Sequence, residues 1–225
     1  MTTRDTVAPA AVLRNCAFFS CFSSDEVKAL SKMVNEQELV PGEFLFRRGE
    51  VPDRLYVLGS GVVKSLVYSS SGKALTLSLY SPNDIVGEAA FLTGNPYASS
   101  CVAVTPARLL VIPRREFQPF MPAHPEMPIK AIDILVNRIL LLQSRLENIA
   151  GASTEQRLVN ILLYLRTKLG NPLPLTKCAI AEVAGLTTET VIRIMSCLEK
   201  RGLISSGRGW VTILDAEALE GLFGD

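Results

Sequence analysis

A single histidine in 225 residues, His124, removes several classes of activity at once. A metal-dependent enzyme built on a β-roll needs clustered histidines and carboxylates, and one imidazole cannot supply that cluster. The chain also lacks a Walker loop, a nucleophile elbow and an HExxH helix, so an enzyme is not expected. Charge of one sign is missing as well. The net charge of +1 gives no global attraction to nucleic acid or to a membrane surface, so any such role must rest on a local patch. No apolar run approaches the ~18 residues of a membrane helix. The opening "MTTRDTVAPAAVLRN" has no basic segment followed by an apolar one, as a secretory signal would. A cytoplasmic location with no membrane partner is the expectation. The five cysteines are odd in number and scattered, which fits reduced thiols better than a disulfide framework.

Hydrophobic residues are plentiful, at 48% against 20% charged, enough for a packed core in two modest domains or one large one. Three textures follow one another. "SSDEVKALSKMVN" begins with a serine cap and an acidic first turn and reads as a short helix. From Val40 to Pro113, short β-rich runs ("FLF", "RLYVL", "VVKSLVY", "ALTLSLY") alternate with turn signals, which predicts a sandwich, roll or barrel. "PIKAIDILVNRILLLQSRLENIAG" then places Ile132, Leu135, Ile139, Leu142, Leu146 and Ile149 at spacings of 3 and 4 residues. That is a heptad seam with mostly Ile at a and Leu at d, the combination of a parallel two-stranded coiled coil. A second line, Ile134 and Leu141, can pack the same helix on its own chain. Gly151 and the "SxxQ" of Ser153–Gln156 mark a break and a fresh helix cap. The expected organisation is α+β: a β-roll over 1–125, a dimerisation helix over 126–151 and a winged helix-turn-helix over 152–225.

The last region carries the most specific pattern. Thr176 caps one short helix, Gly185 ends it, and Thr187 caps the next. In that second helix Val191, Ile194, Met195 and Leu198 form the apolar stripe. Thr188, Glu189, Ile192, Arg193, Ser196 and Lys200 are left outside. After Gly202, two short apolar runs around "SSGRG" read as a two-stranded wing with Arg208 at its tip. An arginine on such a helix can donate two hydrogen bonds to guanine O6 and N7, and a glutamate one turn earlier can accept from cytosine N4. The bland alternative is an ordinary solvated i, i+4 ion pair, worth ~0.3–0.5 kcal/mol. Ile192 can touch a thymine methyl or lie partly buried on the preceding helix. Between Thr176 and Trp210 five cations face three carboxylates, a modest basic patch to which Lys177 and Arg208 contribute.

With these residues in place, the chain resembles the CRP/FNR family of bacterial transcription regulators over nearly its whole length. "LTTETVIRIMSCLEKRGLI" looks like the family's recognition helix, with Glu189 and Arg193 at its base-reading positions. "DIVGEAAFLTGNPYASS" looks like its phosphate-binding cassette. The resemblance implies a homodimer on double-stranded DNA at a palindromic site. DNA contacts would come from Lys177, Thr187, Thr188, Glu189, Ile192, Arg193 and Arg208. An effector pocket would be lined by Gly87, Glu88, Ala89, Tyr97, Ala98, Ser99 and Leu142. RNA polymerase would be a further partner if the protein is an activator. Thr188 stands where the cAMP-responsive branch has a further arginine, which implies an FNR-like TTGA half-site.

Departures from the family pattern bear on the effector. Tyr97 stands where cyclic-nucleotide binders carry the arginine that pairs with the phosphate. Leu142 and Gln143 stand where the cAMP-responsive regulator uses hydroxyls for the adenine. cAMP is therefore not the expected effector. An iron–sulfur cluster needs four ligands, and Cys16, Cys21 and Cys101 do not supply them, Leu110 standing at the aligned β-roll position. Cys16, Cys101, Cys178 and Cys197 read as small core residues, while Cys21 is open to a redox role. His124 is a weak candidate for an axial haem ligand, and no other metal site is expected. The effector, a small molecule or a redox signal, is left open. The alternative function is a cyclic-nucleotide-type regulatory module with no DNA role.

Overall fold

A computed structural model describes residues 8–70, 72 and 74–223, apart from the side chains of 145 and 148–150. The elements, in order, are α1 (Pro9–Asn15), a 3-10 turn (Ala17–Phe19), α2 (Ser24–Ser31), β1 (Asn35–Leu39), β2 (Phe44–Phe46), β3 (Arg54–Ser60), β4 (Val63–Tyr68), β5 (Ala74–Tyr80), β6 (Ile85–Val86), α3 (Glu88–Thr93), β7 (Ser100–Ala103), β8 (Ala107–Pro113), α4 (Arg114–Phe117), a second 3-10 turn (Gln118–Ala123), α5 (Met127–Gly151), α6 (Thr154–Leu169), α7 (Lys177–Ala184), α8 (Thr188–Lys200), β9 (Ile204–Gly207), β10 (Trp210–Ile213) and α9 (Ala216–Glu220). The chain divides into two compact units. One holds Met1–Leu66 with Ser78–Ile139, the other Val67–Leu77 with Leu140–Asp225. The division thus falls inside α5, upstream of the Gly151 break expected from the sequence.

The first unit is a two-sheet roll with strand orders β1-β8-β3-β6 and β2-β7-β4-β5. Its central strands are apolar on both faces, so strand alternation sorts their side chains into two cores rather than into core and solvent. Tyr56, Leu58, Leu109 and Val111 point between the sheets and meet Phe46, Tyr80 and Tyr97. Their neighbours Leu55, Val57, Leu110 and Ile112 point outward and are covered by Val12, Leu13, Phe18, Phe19, Leu30, Phe91, Phe117, Met127 and Ala131. The antiparallel register sets Val57 opposite Leu110 and Tyr56 opposite Val111. α2 opens with the serine cap foreseen, which the structure completes to a capping box: the Ser23 hydroxyl accepts from Glu26 N, and the Glu26 carboxylate accepts from Ser23 N at 2.8 Å.

In the second unit α6 buries Leu158, Val159, Ile161, Leu162 and Leu165. The Ser153 hydroxyl accepts from Gln156 N at 3.1 Å to start that helix. Asn171 ties the wing to the domain: its amide donates to Ile213 O at 2.9 Å and its carbonyl accepts from Ile213 N at 3.0 Å. Among the described residues no helix is long and apolar enough to cross a membrane.

The cysteine expectation is corrected at two of four positions. Cys16 and Cys101 are buried, and burial pushes both thiols up to about 12. Cys178 and Cys197 are exposed. Each lies outside the apolar stripe of its helix, α7 burying Ala179, Ile180, Ala181, Val183 and Ala184 and α8 burying Val191, Ile194, Met195 and Leu198.

Candidate nucleic-acid interface and effector cradle

The helix-turn-helix forms where its caps predict it. The Thr176 hydroxyl accepts from Ala179 N at 3.1 Å and starts α7. Gly185 ends α7 in the left-handed conformation (φ 65°, ψ 29°), which costs a residue without Cβ little. Leu186 drops into the core, and the Thr187 hydroxyl accepts from Thr190 N at 3.2 Å to start α8. Val191, Ile194, Met195 and Leu198 are the buried stripe of α8, as the spacing dictates.

The opposite face is open. Glu189 and Arg193 are exposed, and neither has an ion-pair or hydrogen-bond partner among the described residues. The solvated ion pair therefore does not form, and both heads are left to an outside partner. Ile192 is 47% exposed, so its side chain is partly buried and partly open to an outside partner. Thr187 is exposed, Thr188 and Lys177 are half-buried, and Arg208 is exposed. The wing is an antiparallel pair with Gly207 opposite Trp210, so Arg208 and Gly209 form its two-residue tip.

The cassette is built differently from a phosphate cradle. Gly87 has φ 81° and opens α3, and Glu88 follows it into the interior at 1% exposure. Arg138 of α5 pairs with the Glu88 carboxylate, donates to Ile85 O at 2.9 Å, and lies 4.8 Å over the Tyr80 ring. The other Glu88 oxygen has no hydrogen-bond partner among the described residues. Burial raises the Glu88 carboxyl, and the Arg138 guanidinium works against that rise. Tyr97 is buried and stacks on Phe46 with ring centroids 3.7 Å apart and planes 8° from parallel. A Cβ added at Gly87 would stand 3.0 Å from the Tyr97 ring and 3.4 Å from Phe46. The space beside Gly87 is thus filled by two aromatic rings, and Arg138, the cation that pairs with Glu88, is already committed to it. These residues do not fit a cyclic phosphate.

Among the other cassette residues, Ala89 and Ala98 are exposed and Ser99 is half-buried. Leu142 does not join this group. It belongs to the second unit, where it lines a cavity of about 240 Å³ with Leu146, Ile161 and Val183. Sequence reasoning missed Arg138. Its signal was a lone cation in line with Ala131, Ile134 and Leu141, the side of α5 that packs on its own unit at Ala131 and Ile134.

On α5, Ile132, Ile139 and Leu146 are exposed at 56%, 54% and 66%, while Leu135 and Leu142 are half-buried. The Ile149 side chain lies outside the described residues. Ile129 and Val136 are exposed in place of the two leucines. The open apolar line therefore runs Ile129, Ile132, Val136, Ile139, still at spacings of 3 and 4.

The haem expectation for His124 does not fit its surroundings. Its ring is buried under Phe22, and its two nitrogens lie 3.1 and 3.3 Å from the carboxylates of Glu26 and Glu126. No side of the ring is open to a porphyrin. An iron–sulfur set does not assemble either: Cys16 and Cys101 sit in different cores, and the aligned position is the buried Leu110.

A roll of this kind followed by a capped helix-turn-helix with a wing defines a DNA-binding regulator rather than an enzyme. Residues 36–124 match the model of the cyclic nucleotide-binding domain, and residues 156–222 match that of the Crp-like helix-turn-helix domain. The global nitrogen regulator of Synechococcus elongatus is 31% identical over 81% of this chain and 86% of its own. A CRP-like cAMP-activated global transcriptional regulator of Mycobacterium tuberculosis is 26% identical over 92% of this chain and 96% of its own. The solved structure of FixK2 from Bradyrhizobium japonicum shares the fold, with a TM-score of 0.76 at 18% identity, covering 85% of this chain and 98% of that one. The chain belongs to the CRP/FNR family of transcription regulators. The relatives are regulators and not enzymes, and the helix-turn-helix match removes the alternative of a module without a DNA role.

Proposed function

We propose that this regulator acts as a homodimer on an inverted-repeat site, reads bases with Glu189 and Arg193, and responds to an effector other than cAMP. The observation that carries the base-reading assignment is the pair of unpartnered heads on the open face of α8, beside a capped N-terminus. Side chains near that end of a recognition helix are the ones that reach base edges. Arg193 donates to guanine O6 and N7, Glu189 accepts from cytosine N4, and Ile192 meets a thymine methyl. Thr187, Thr188, Lys177 and Arg208 hold backbone and flanking positions. The half-site we assign is TTGA, on the likeness of the recognition helix and the threonine at 188. The exposed line on α5, Ile129, Ile132, Val136 and Ile139 with Leu146 beyond, supports dimerisation through that helix. RNA polymerase is the further partner at promoters where the protein activates.

The effector reading rests on Tyr97. One relative is named for activation by cAMP, but a cyclic phosphate buried without a cation is costly, and Tyr97 with Phe46 occupies the place beside Gly87. A gel-shift titration on a duplex selected from a random library tests the base reading. Arg193→Ala should lose about 5- to 150-fold in discrimination, the equivalent of ~1–3 kcal/mol for one bidentate pair. Undiminished preference for the selected duplex in that variant would refute the assignment. Calorimetric titration with cAMP tests the second part, where tight and specific uptake would be the contrary result.

A further inference from the structure

The lone histidine sits in an electron-rich group for which the DNA reading has no use. Cys21, in the turn before α2, His124, and Glu126, next to the start of α5, present a sulfur, a ring nitrogen and a carboxylate oxygen all within 4.8 Å of one another. His124 Nδ1 lies 3.3 Å from Glu126 Oε1, and Cys21 and Glu126 share a hydrogen bond. On the far side, Nε2 lies 3.1 Å from Glu26 Oε1. Phe22 stacks on the imidazole at 4.2 Å, and Phe120 stacks on Phe22 at 5.6 Å, so the ring is held in place by packing.

The imidazole is oriented by its two carboxylate neighbours. A neutral ring has one N–H and one lone pair. With Nε2–H donating to Glu26, the Nδ1 lone pair is turned toward Glu126 and the Cys21 sulfur, and the three donor atoms converge on a point that one cation can share.

We propose that Cys21 Sγ, His124 Nδ1 and a Glu126 carboxylate oxygen form a three-ligand site for a thiophilic divalent cation of the zinc class, with Glu26 orienting the imidazole. The donor set suits that class: a thiolate and an imidazole with one carboxylate, four-coordinate when a water completes it. Ligand bonds of about 2.0–2.3 Å at tetrahedral angles put donor atoms roughly 3.3–3.6 Å apart, and the three donor atoms here lie within 4.8 Å of one another with no ion between them. Glu26 Oε1, 3.1 Å from Nε2, is placed to accept from an Nε2–H, the tautomer in which Nδ1 can coordinate. On binding, the Cys21 thiol gives up its proton to solvent and its sulfur lone pair to the metal, with no change of oxidation state. The site would tie the turn before α2 to the residues that begin α5. It requires nothing of the DNA-reading assignment.

Cobalt(II) titration of the reduced, chelator-treated full chain tests it. The expected result is a thiolate-to-cobalt charge-transfer band with the intense visible bands of a four-coordinate site, saturating at one ion per chain and abolished by added zinc. Cys21→Ser should lose the charge-transfer band, and Glu126→Gln, at a half-buried position, should weaken binding at least about tenfold. Glu26→Gln should weaken it by about 10- to 100-fold, as removal of an outer hydrogen-bond partner does. A Cys178→Ser/Cys197→Ser double variant should keep the spectrum. A chain that shows no thiolate band with cobalt binds no cation through Cys21, and the proposal fails. Survival of the band in Cys21→Ser places the ligand elsewhere and equally overturns it.

Discussion

At the scale of single residues, the molecule turns on where charge is left unpaired and where it is neutralised. Arg193 and Glu189 are free on a solvated surface, whereas Arg138 and Glu88 meet inside. The buried pair makes a prediction independent of DNA. Arg138→Ala leaves a carboxylate at 1% exposure without its cation, and such a loss costs ~3–5 kcal/mol; the lower end, about 3 kcal/mol, applies because Arg138 is itself partly solvated. The pH dependence has a defined sign. The folded-state pKa of Glu88 is raised, so protonation favours the folded state, and the stabilisation this gives is full below the ordinary carboxylate value and is lost as pH rises through the raised one. Removing Arg138 raises that value further. Urea unfolding of the variant should therefore show a deficit that is largest near neutral pH and narrows as pH falls through the carboxylate range. A deficit that widens in acid would contradict the pairing. Arg138 itself was not legible as a partner of Glu88: fifty residues of chain separate them, and spacing on a helix names a face but not what lies opposite. Glu189 and Arg193 were legible because both sit on one short helix whose buried stripe fixes its open face.

At the scale of elements, caps and alternation carried most of the information. Ser23, Ser153, Thr176 and Thr187 each start the helix their position announces, because a side-chain acceptor beside an apolar-periodic run satisfies a local rule. Thr187→Ala should lower stability by about 1 kcal/mol in urea unfolding, and Thr187→Ser should restore most of it. Gly185→Ala should cost ~1–2 kcal/mol. Nothing lies within 4 Å of the added methyl, so the penalty is that of a left-handed residue with a Cβ and not of a clash. Gly185→Asn should be milder, and equal losses for Ala and Asn would show that conformation is not the cause. The heptad was legible only in part. Ile132, Ile139 and Leu146 were placed on the open side of α5, but Leu135 and Leu142 were chosen where Ile129 and Val136 are the exposed neighbours. Spacings of 3 and 4 serve either flank of a helix, and only the packed structure says which flank is covered. The exposed thiols of Cys178 and Cys197 were misread for a similar reason: a cysteine's usual burial is a statistical habit and does not say which side of a helix it occupies.

At the scale of the whole molecule, the two units put the sensor-like roll and the reading head on one chain, with α5 common to both. The open apolar line of that helix gives the prediction for assembly. Ile132→Asp with Ile139→Asp should shift sedimentation equilibrium to a single-chain mass and leave the thermal unfolding of each unit nearly unchanged, since both side chains are more than half exposed. A dimer that persists in that variant would place the interface on another surface. The most direct measurement is selection of duplexes from a random library by the full chain, followed by sequencing. A two-fold protein with one recognition helix per subunit should enrich an inverted repeat whose half-sites are centred about 10–10.5 base pairs apart, one turn of the double helix, each containing TTGA. Enrichment of a single, unrepeated half-site, or of direct repeats, would contradict the account.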